Sequence, residues 1–306
     1  MIKTNMVFAF PGAGIEIKGF EKLFFSRHRE IMMPFLAEAS EFIKTDLVNC
    51  LETDNQKLLD DRINQFFVYS FSTGAAAVFS KELSPGVTAG YSFGAYAALC
   101  VSGAVDFSSG LKIVEGAYNC MMEICREINS GMCAVIGLSE DTIDMIIKDN
   151  NLSDLCIVNS NSDTCKIIAG SKKEITIFYK YAEKHDVLNT ITLNVDFPYH
   201  HPSLKNRIPE SFKYFLRELP WRNGNIPFIS SINQKPIIKK EDLSAFVIEQ
   251  LYTPINWEKV INSLKDMDIK VLIECGPGIS LTQNGRFIDN KPAYVNLKNS
   301  KRKLNI

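Results

Sequence analysis

The stretch that most limits the fold is Gly90-Tyr91-Ser92-Phe93-Gly94, entered from Val87-Thr88-Ala89 and left through Ala95-Tyr96-Ala97-Ala98-Leu99. The residues after Pro85-Gly86 read as a short buried strand, and the alanines let a helix pack closely on it. A serine on so tight a strand-to-helix turn has an exposed hydroxyl and a strained backbone, with Gly90 and Gly94 avoiding steric clash. The next N–H, that of Phe93, sits at a helix N-terminus, where an oxyanion is stabilised. A bare G-x-S-x-G is a weak signal. The flanking strand and helix are what make Ser92 a candidate nucleophile.

Charge and cysteine usage narrow the setting. With 34 basic and 35 acidic residues the net charge is −1, so nothing points to nucleic acid or a membrane surface as partner. The eight cysteines show no C-x-x-C and no pairing with histidine, which reads as reduced, buried thiols of a cytoplasmic protein. No apolar run reaches membrane-spanning length, and Met1 to Met6 leads into a strand without a signal-peptide pattern.

Taken in order, Val7-Phe8-Ala9-Phe10 is a strand ending at Pro11-Gly12-Ala13-Gly14. This loop lacks the third glycine of a dinucleotide site and the Lys-Ser/Thr of a P-loop. It is either a plain tight turn or a loop whose N–H completes an oxyanion hole with Phe93. Residues 17–82 read mainly as helices, with Phe66 to Phe79 as a buried helix under the serine strand. Another helix, capped by Asp106 or Ser108, is predicted to run to about Ile128. From 129 to 197 the pattern becomes β-α-β-β-α-β, its last strand at Thr190–Val195, the order of a ferredoxin-like unit. It is expected as an insert in a larger α/β domain made of 1–128 and 198–306. The C-terminal part is predicted to hold a helix near 205–217, a strand at Phe228–Ser231, helices at Ala245–Leu251 and Trp257–Met267, and a strand at Val271–Cys275. The tail after Lys298 reads as loose.

A serine nucleophile needs a base. Of the four histidines, His28 and His185 fall in polar helical stretches, whereas His200 and His201 follow Pro198 at a strand exit. As a metal pair they lack a completing Cys/His/Asp cluster, so one of them is expected to serve as the base for Ser92. Glu274 is a possible third member, though a capping carboxylate is the simpler reading, and a backbone carbonyl can also orient a histidine.

Together these residues resemble the malonyl-CoA:acyl carrier protein transacylase family, which includes the acyltransferases of polyketide synthases. The resemblance runs over nearly the whole chain. It rests on Phe10-Pro11-Gly12-x-Gly14, Gly90-Tyr91-Ser92-Phe93-Gly94, Asp106-Phe107 with Val114-Glu115, and Asn159-Ser160-Asn161-Ser162. It continues through Pro198-Tyr199-His200, Gln250-Leu251-Tyr252-x-Pro254-x-x-Trp257 and Glu274-x-Gly276-Pro277-Gly278. It implies an α/β-hydrolase-like large domain with an inserted ferredoxin-like small subdomain. It further implies Ser92 as nucleophile, His200 as base oriented by the Gln250 carbonyl, and the Phe93 and Ala13 backbones as oxyanion hole. The expected partners are an acyl carrier protein and an acyl thioester, with no permanent cofactor or metal and with phosphopantetheine or CoA carrying the substrate.

Two departures from the family pattern bear on the substrate. Ala13 stands where the family has glutamine, and Ala117 stands where malonyl enzymes carry the arginine that clamps malonate. Arg126, nine residues on, lies about 180° round the helix and does not substitute; Arg286 is the remaining candidate. Burying a carboxylate without its partner costs about 2–5 kcal/mol. The sequence therefore predicts an enlarged apolar acyl pocket at Gly116, Ala117 and Tyr199 for a non-carboxylated acyl group. For a free-standing chain the expected reaction is hydrolysis of acyl groups from acyl carrier proteins. The alternative is a transacylase moving an acetyl, larger acyl or malonyl group to a carrier protein. A catalytically idle docking module would not retain both Ser92 and His200, and a plain carboxyl-ester hydrolase would not carry the insert or the C-terminal motifs.

Overall fold

A computed structural model describes residues 4–53, 55–195, 197–289, 291–300 and 302; most of the tail expected to be loose lies outside them. Among the described residues two sheets form. The larger comprises β1 (Met6–Phe10), β2 (Val87–Gly90), β7 (Phe228–Ile229), β8 (Pro236–Ile237), β10 (Val271–Glu274) and β11 (Ala293–Asn296), in the order β11-β10-β1-β2-β7-β8. All its pairings are parallel except β7 with β8. Parallel strands are covered on both faces, and alternation along β1 does this directly. Phe8 and Phe10 enter the core under helix Asp61–Phe79, while Val7 and Ala9 enter a second core with Trp257 and Leu272.

The smaller sheet is built from β3 (Ser130–Ile136), β4 (Cys156–Ser162), β5 (Cys165–Ser171) and β6 (Asn189–Thr192), in the order β6-β3-β5-β4. Numbered within the unit this is 4-1-3-2, the antiparallel ferredoxin-like arrangement, with helices Glu140–Asp149 and Lys172–Ala182 on one face. The fold is thus an α/β-hydrolase-like large domain with a ferredoxin-like small subdomain. A fifth strand, β9 (Ile255–Asn256), joins β4 from the large-domain part of the chain and ties the two together.

Several boundaries shift from those predicted. Asp106, not Ser108, caps helix Phe107–Cys125, its side chain accepting from Ser109 N at 2.7 Å. The helix predicted from Ala245 runs Lys240–Glu249, and the strand predicted to Val195 stops at Thr192, leaving Leu193 and Val195 free to face the site. The helix near 205–217 is a 3-10 turn at Pro202–Arg207 followed by helix Glu210–Glu218. No described helix is long and apolar enough to cross a membrane.

Candidate active site

The C-terminal ends of β1 and β2 lie side by side, and the loops leaving them form one wall of a cleft. The elbow is as tight as its glycines suggest. A Cβ on Gly90 would lie 2.2 Å from Ala95 N, and one on Gly94 would lie 2.1 Å from the Phe10 carbonyl oxygen. Tyr91 N donates to that same carbonyl at 2.9 Å, fixing the turn to β1. Ser92 takes φ 51, a left-handed conformation costly for a residue with a Cβ. The neighbouring loop is held by Asn64, whose Oδ1 accepts from Gly14 N at 2.8 Å.

His200 comes from the opposite side, where the chain leaves the small subdomain. It too is left-handed, at φ 67, and its N–H donates to the Leu251 carbonyl at 2.9 Å. Gln250 directly follows helix Lys240–Glu249, where carbonyls have no partner within the helix. Its oxygen accepts from His200 Nδ1 at 2.5 Å. A carbonyl only accepts, so the proton resides on Nδ1 and Nε2 is bare. Ser92 Oγ lies 2.7 Å from that Nε2. Burial pushes the imidazole down to about 4, against the opposing pull of the Gln250 and Thr253 backbones, so near pH 7 it is neutral, with Nε2 free to accept a proton.

His201 plays a different part. It is buried, with Nδ1 at 2.8 Å from Ser203 Oγ and Nε2 at 3.1 Å from the Asp154 carbonyl in the small subdomain. His28 packs on Phe24 and His185 is exposed. Glu274 is a capping carboxylate, accepting from Leu281 N at 2.8 Å and Thr282 N at 3.0 Å.

The cleft has an empty volume of about 770 Å³, including space open to solvent. Ala13, Phe93, Ala117 and Tyr199 line it with the dyad, while Met132, Ile167, Leu193 and Val195 of the small subdomain form an apolar opposite wall. Gly116 is a correction to the expected acyl pocket. A Cβ there would meet Phe215 at 2.6 Å, so the glycine admits helix Glu210–Glu218 rather than substrate. Among the described residues no arginine or lysine lines the cleft. Arg126 and Arg286 are exposed, and Arg62 forms a two-pronged ion pair with Glu115 at 3.0 and 3.1 Å.

Sequence reasoning missed Gln65 and the Asn159–Tyr91 hydrogen bond. The available signal for Gln65 was a polar Asn64-Gln65 pair heading the apolar run of a buried helix.

No protein-family model matches the chain. A malonyl CoA-acyl carrier protein transacylase of Buchnera aphidicola is 27% identical over 292 residues, covering 94% of this chain and 93% of the relative. An acyl carrier protein S-malonyltransferase of Vibrio cholerae superposes with a TM-score of 0.86 at 25% identity, covering 96% of each chain. Over nearly its whole length the chain is similar to malonyl-CoA:acyl carrier protein transacylases in both sequence and fold. A further member of that fold, solved as a type II polyketide synthase acyl carrier protein in complex with its malonyl-transacylase, superposes with a TM-score of 0.88 at 23% identity, covering 97% of this chain and 99% of its own.

Proposed function

We propose that this chain is an acyltransferase that moves an acyl group from a thioester donor to the phosphopantetheine thiol of an acyl carrier protein through an acyl-Ser92 intermediate. The observation that carries this reading is the 2.7 Å contact between Ser92 Oγ and His200 Nε2, with Nδ1 committed to the Gln250 carbonyl. In the first half-reaction Ser92 Oγ attacks the thioester carbonyl carbon while its proton passes to His200 Nε2. The imidazolium is stabilised by the Gln250 carbonyl it already faces. The tetrahedral oxyanion is held by the backbone N–H groups of Phe93 and Ala13, both at the cleft beside Ser92. Collapse breaks the C–S bond, and the proton on Nε2 goes to the departing sulfur. In the second half the carrier-protein thiol attacks the ester, passes its proton to His200, and leaves as the new thioester while Ser92 regains a proton.

The transacylase names of the relatives support transfer over the hydrolysis expected from the sequence. The acyl group we infer is uncharged, because Ala117 supplies no cation and no arginine or lysine lines the cleft among the described residues. Intact-mass spectrometry of the protein with acetyl-CoA and a phosphopantetheinylated carrier protein tests the reading. Acyl-Ser92 followed by acylated carrier protein is expected, with Ser92→Ala inert. Free acid in place of acylated carrier protein would make it a hydrolase, and efficient malonyl loading would overturn the inferred acyl class.

A further inference from the structure

One wall of the apolar cleft carries a short chain of polar groups that the acyl-transfer steps do not use. Asp61 and Gln65 are one turn apart at the start of helix Asp61–Phe79, and Tyr199 faces them from the segment before His200. Gln65 Nε2 lies 3.2 Å from Asp61 Oδ2 and 3.0 Å from the Tyr199 hydroxyl oxygen. An amide NH2 has two protons, and these two contacts use both. The Tyr199 oxygen is therefore the acceptor in its pair with Gln65, and its own O–H proton is left to give. Among the described residues that hydroxyl has no second hydrogen bond, and the tyrosine lines the cleft.

The ring is held in place. Tyr199 stands edge-on to Phe197 with centroids 5.7 Å apart, and Phe197 stands edge-on to Tyr118 at the same separation. It also packs on the Met132 and Ile167 face of the small subdomain. A fixed donor in a mostly apolar cleft discriminates by what it leaves unpaired, since an alkyl chain beside it strands the O–H away from water. A malonyl carboxylate at the same place would find no arginine or lysine among the described residues that line the cleft.

We propose that the Tyr199 hydroxyl, set by Asp61 and Gln65, pairs with a neutral oxygen on the acyl chain beyond the thioester carbonyl. The substrates of the site are then keto- or hydroxyacyl thioesters rather than plain alkyl ones. This rests on the acyl-Ser92 reading above.

The test compares the rates at which pentanoyl-, 3-oxopentanoyl- and 4-oxopentanoyl-CoA acylate Ser92, followed by intact mass. At least one oxo compound is expected to react about 10-fold faster than pentanoyl. Tyr199→Phe brings that ratio to about one, and Gln65→Leu, which frees the hydroxyl to turn away, lowers it as an independent check. A wild-type ratio near one, or a ratio that survives in both variants, overturns the inference while acyl-Ser92 stands. No acylation by any of the three overturns the acyl-Ser92 reading itself, and this inference with it.

Discussion

Ser92 and His200 are 108 positions apart, yet both hold left-handed backbones, at φ 51 and φ 67, with Oγ and Nε2 2.7 Å apart. Neither is glycine, so each conformation stores about 1–3 kcal/mol that the surrounding structure must offset. At Ser92 the restraint comes from the Tyr91–Phe10 hydrogen bond and the two clash-relieving glycines; at His200 it comes from Leu251 and Gln250. Strain at Ser92 should therefore be measurable. Ser92→Ala and Ser92→Gly are both expected to abolish acylation, but the glycine variant should be about 1 kcal/mol more stable than the alanine variant. Urea denaturation decides it, and an alanine variant as stable as the glycine one would refute stored strain at the elbow.

The lowered basicity of His200 has a signed consequence for pH. The folded imidazole, at about 4, gains its proton later on acidification than the unfolded one near 6.5. Above 6.5 both states are neutral and stability is unaffected. As pH falls from 6.5 towards 4 the unfolded state binds the proton first, and stability declines by up to about 3 kcal/mol, levelling below 4. Acylation of Ser92 should persist to about pH 5, where an ordinary histidine would be largely protonated. Denaturation midpoints of wild type and His200→Gln at pH 7 and pH 4.5 provide the check, with the variant expected to lose less. Equal losses would show that His200 is not the group responsible.

Much of this site was legible because its parts are local. The elbow combines a strand, two obligatory glycines and a run of alanines within about a dozen residues, and the ferredoxin-like unit is marked by the order of its strand-like and helical runs from Ser130 to Thr192. The Gln250 carbonyl was legible only through a family motif, because no composition signal marks which backbone oxygen a distant histidine will meet. The strands β8 and β9 have two residues each, too short for any period to show, and β11 has four. Gly116 misled because a glycine beside Ala117 looks like added pocket space. Helical geometry turns neighbours about 100° apart, so one lines the cleft while the other meets Phe215. The Gln65–Tyr199 pair was invisible because its members are 134 positions apart.

Ala117 gives a constructive test of the acyl class. It lies on the cleft side of helix Phe107–Cys125, and an arginine there would project a fork of donors into the space an acyl chain occupies. Ala117→Arg is expected to raise malonyl loading of Ser92 at least about 30-fold relative to acetyl, the lower end of what a buried carboxylate gains from its partner. Competition between malonyl- and acetyl-CoA, read by the mass added to Ser92, measures the ratio directly. Should the variant remain folded with its malonyl-to-acetyl ratio unchanged, the missing arginine would not be what sets the acyl class.

His201 links the dyad's segment to the small subdomain, and its loss should loosen that link without touching the reacting atoms. Ser203 N donates to its Nδ1 at 3.2 Å, which makes Nδ1 an acceptor and puts the ring proton on Nε2, where it donates to the Asp154 carbonyl at 3.1 Å. Asp154 is itself anchored within the small subdomain, its Oδ2 accepting from Ser171 N at 2.8 Å and its N–H donating to Glu174 Oε2 at 2.9 Å. Removing the imidazole strands a carbonyl beside a buried gap, at a cost of about 1–3 kcal/mol. His201→Ala should therefore lower stability by that amount and speed hydrogen exchange around Asp154 and Ser171, while acyl-Ser92 still forms. Unchanged exchange at Asp154 and Ser171 in a destabilised variant would place the cost in lost packing alone and remove His201 as the tie between the two parts.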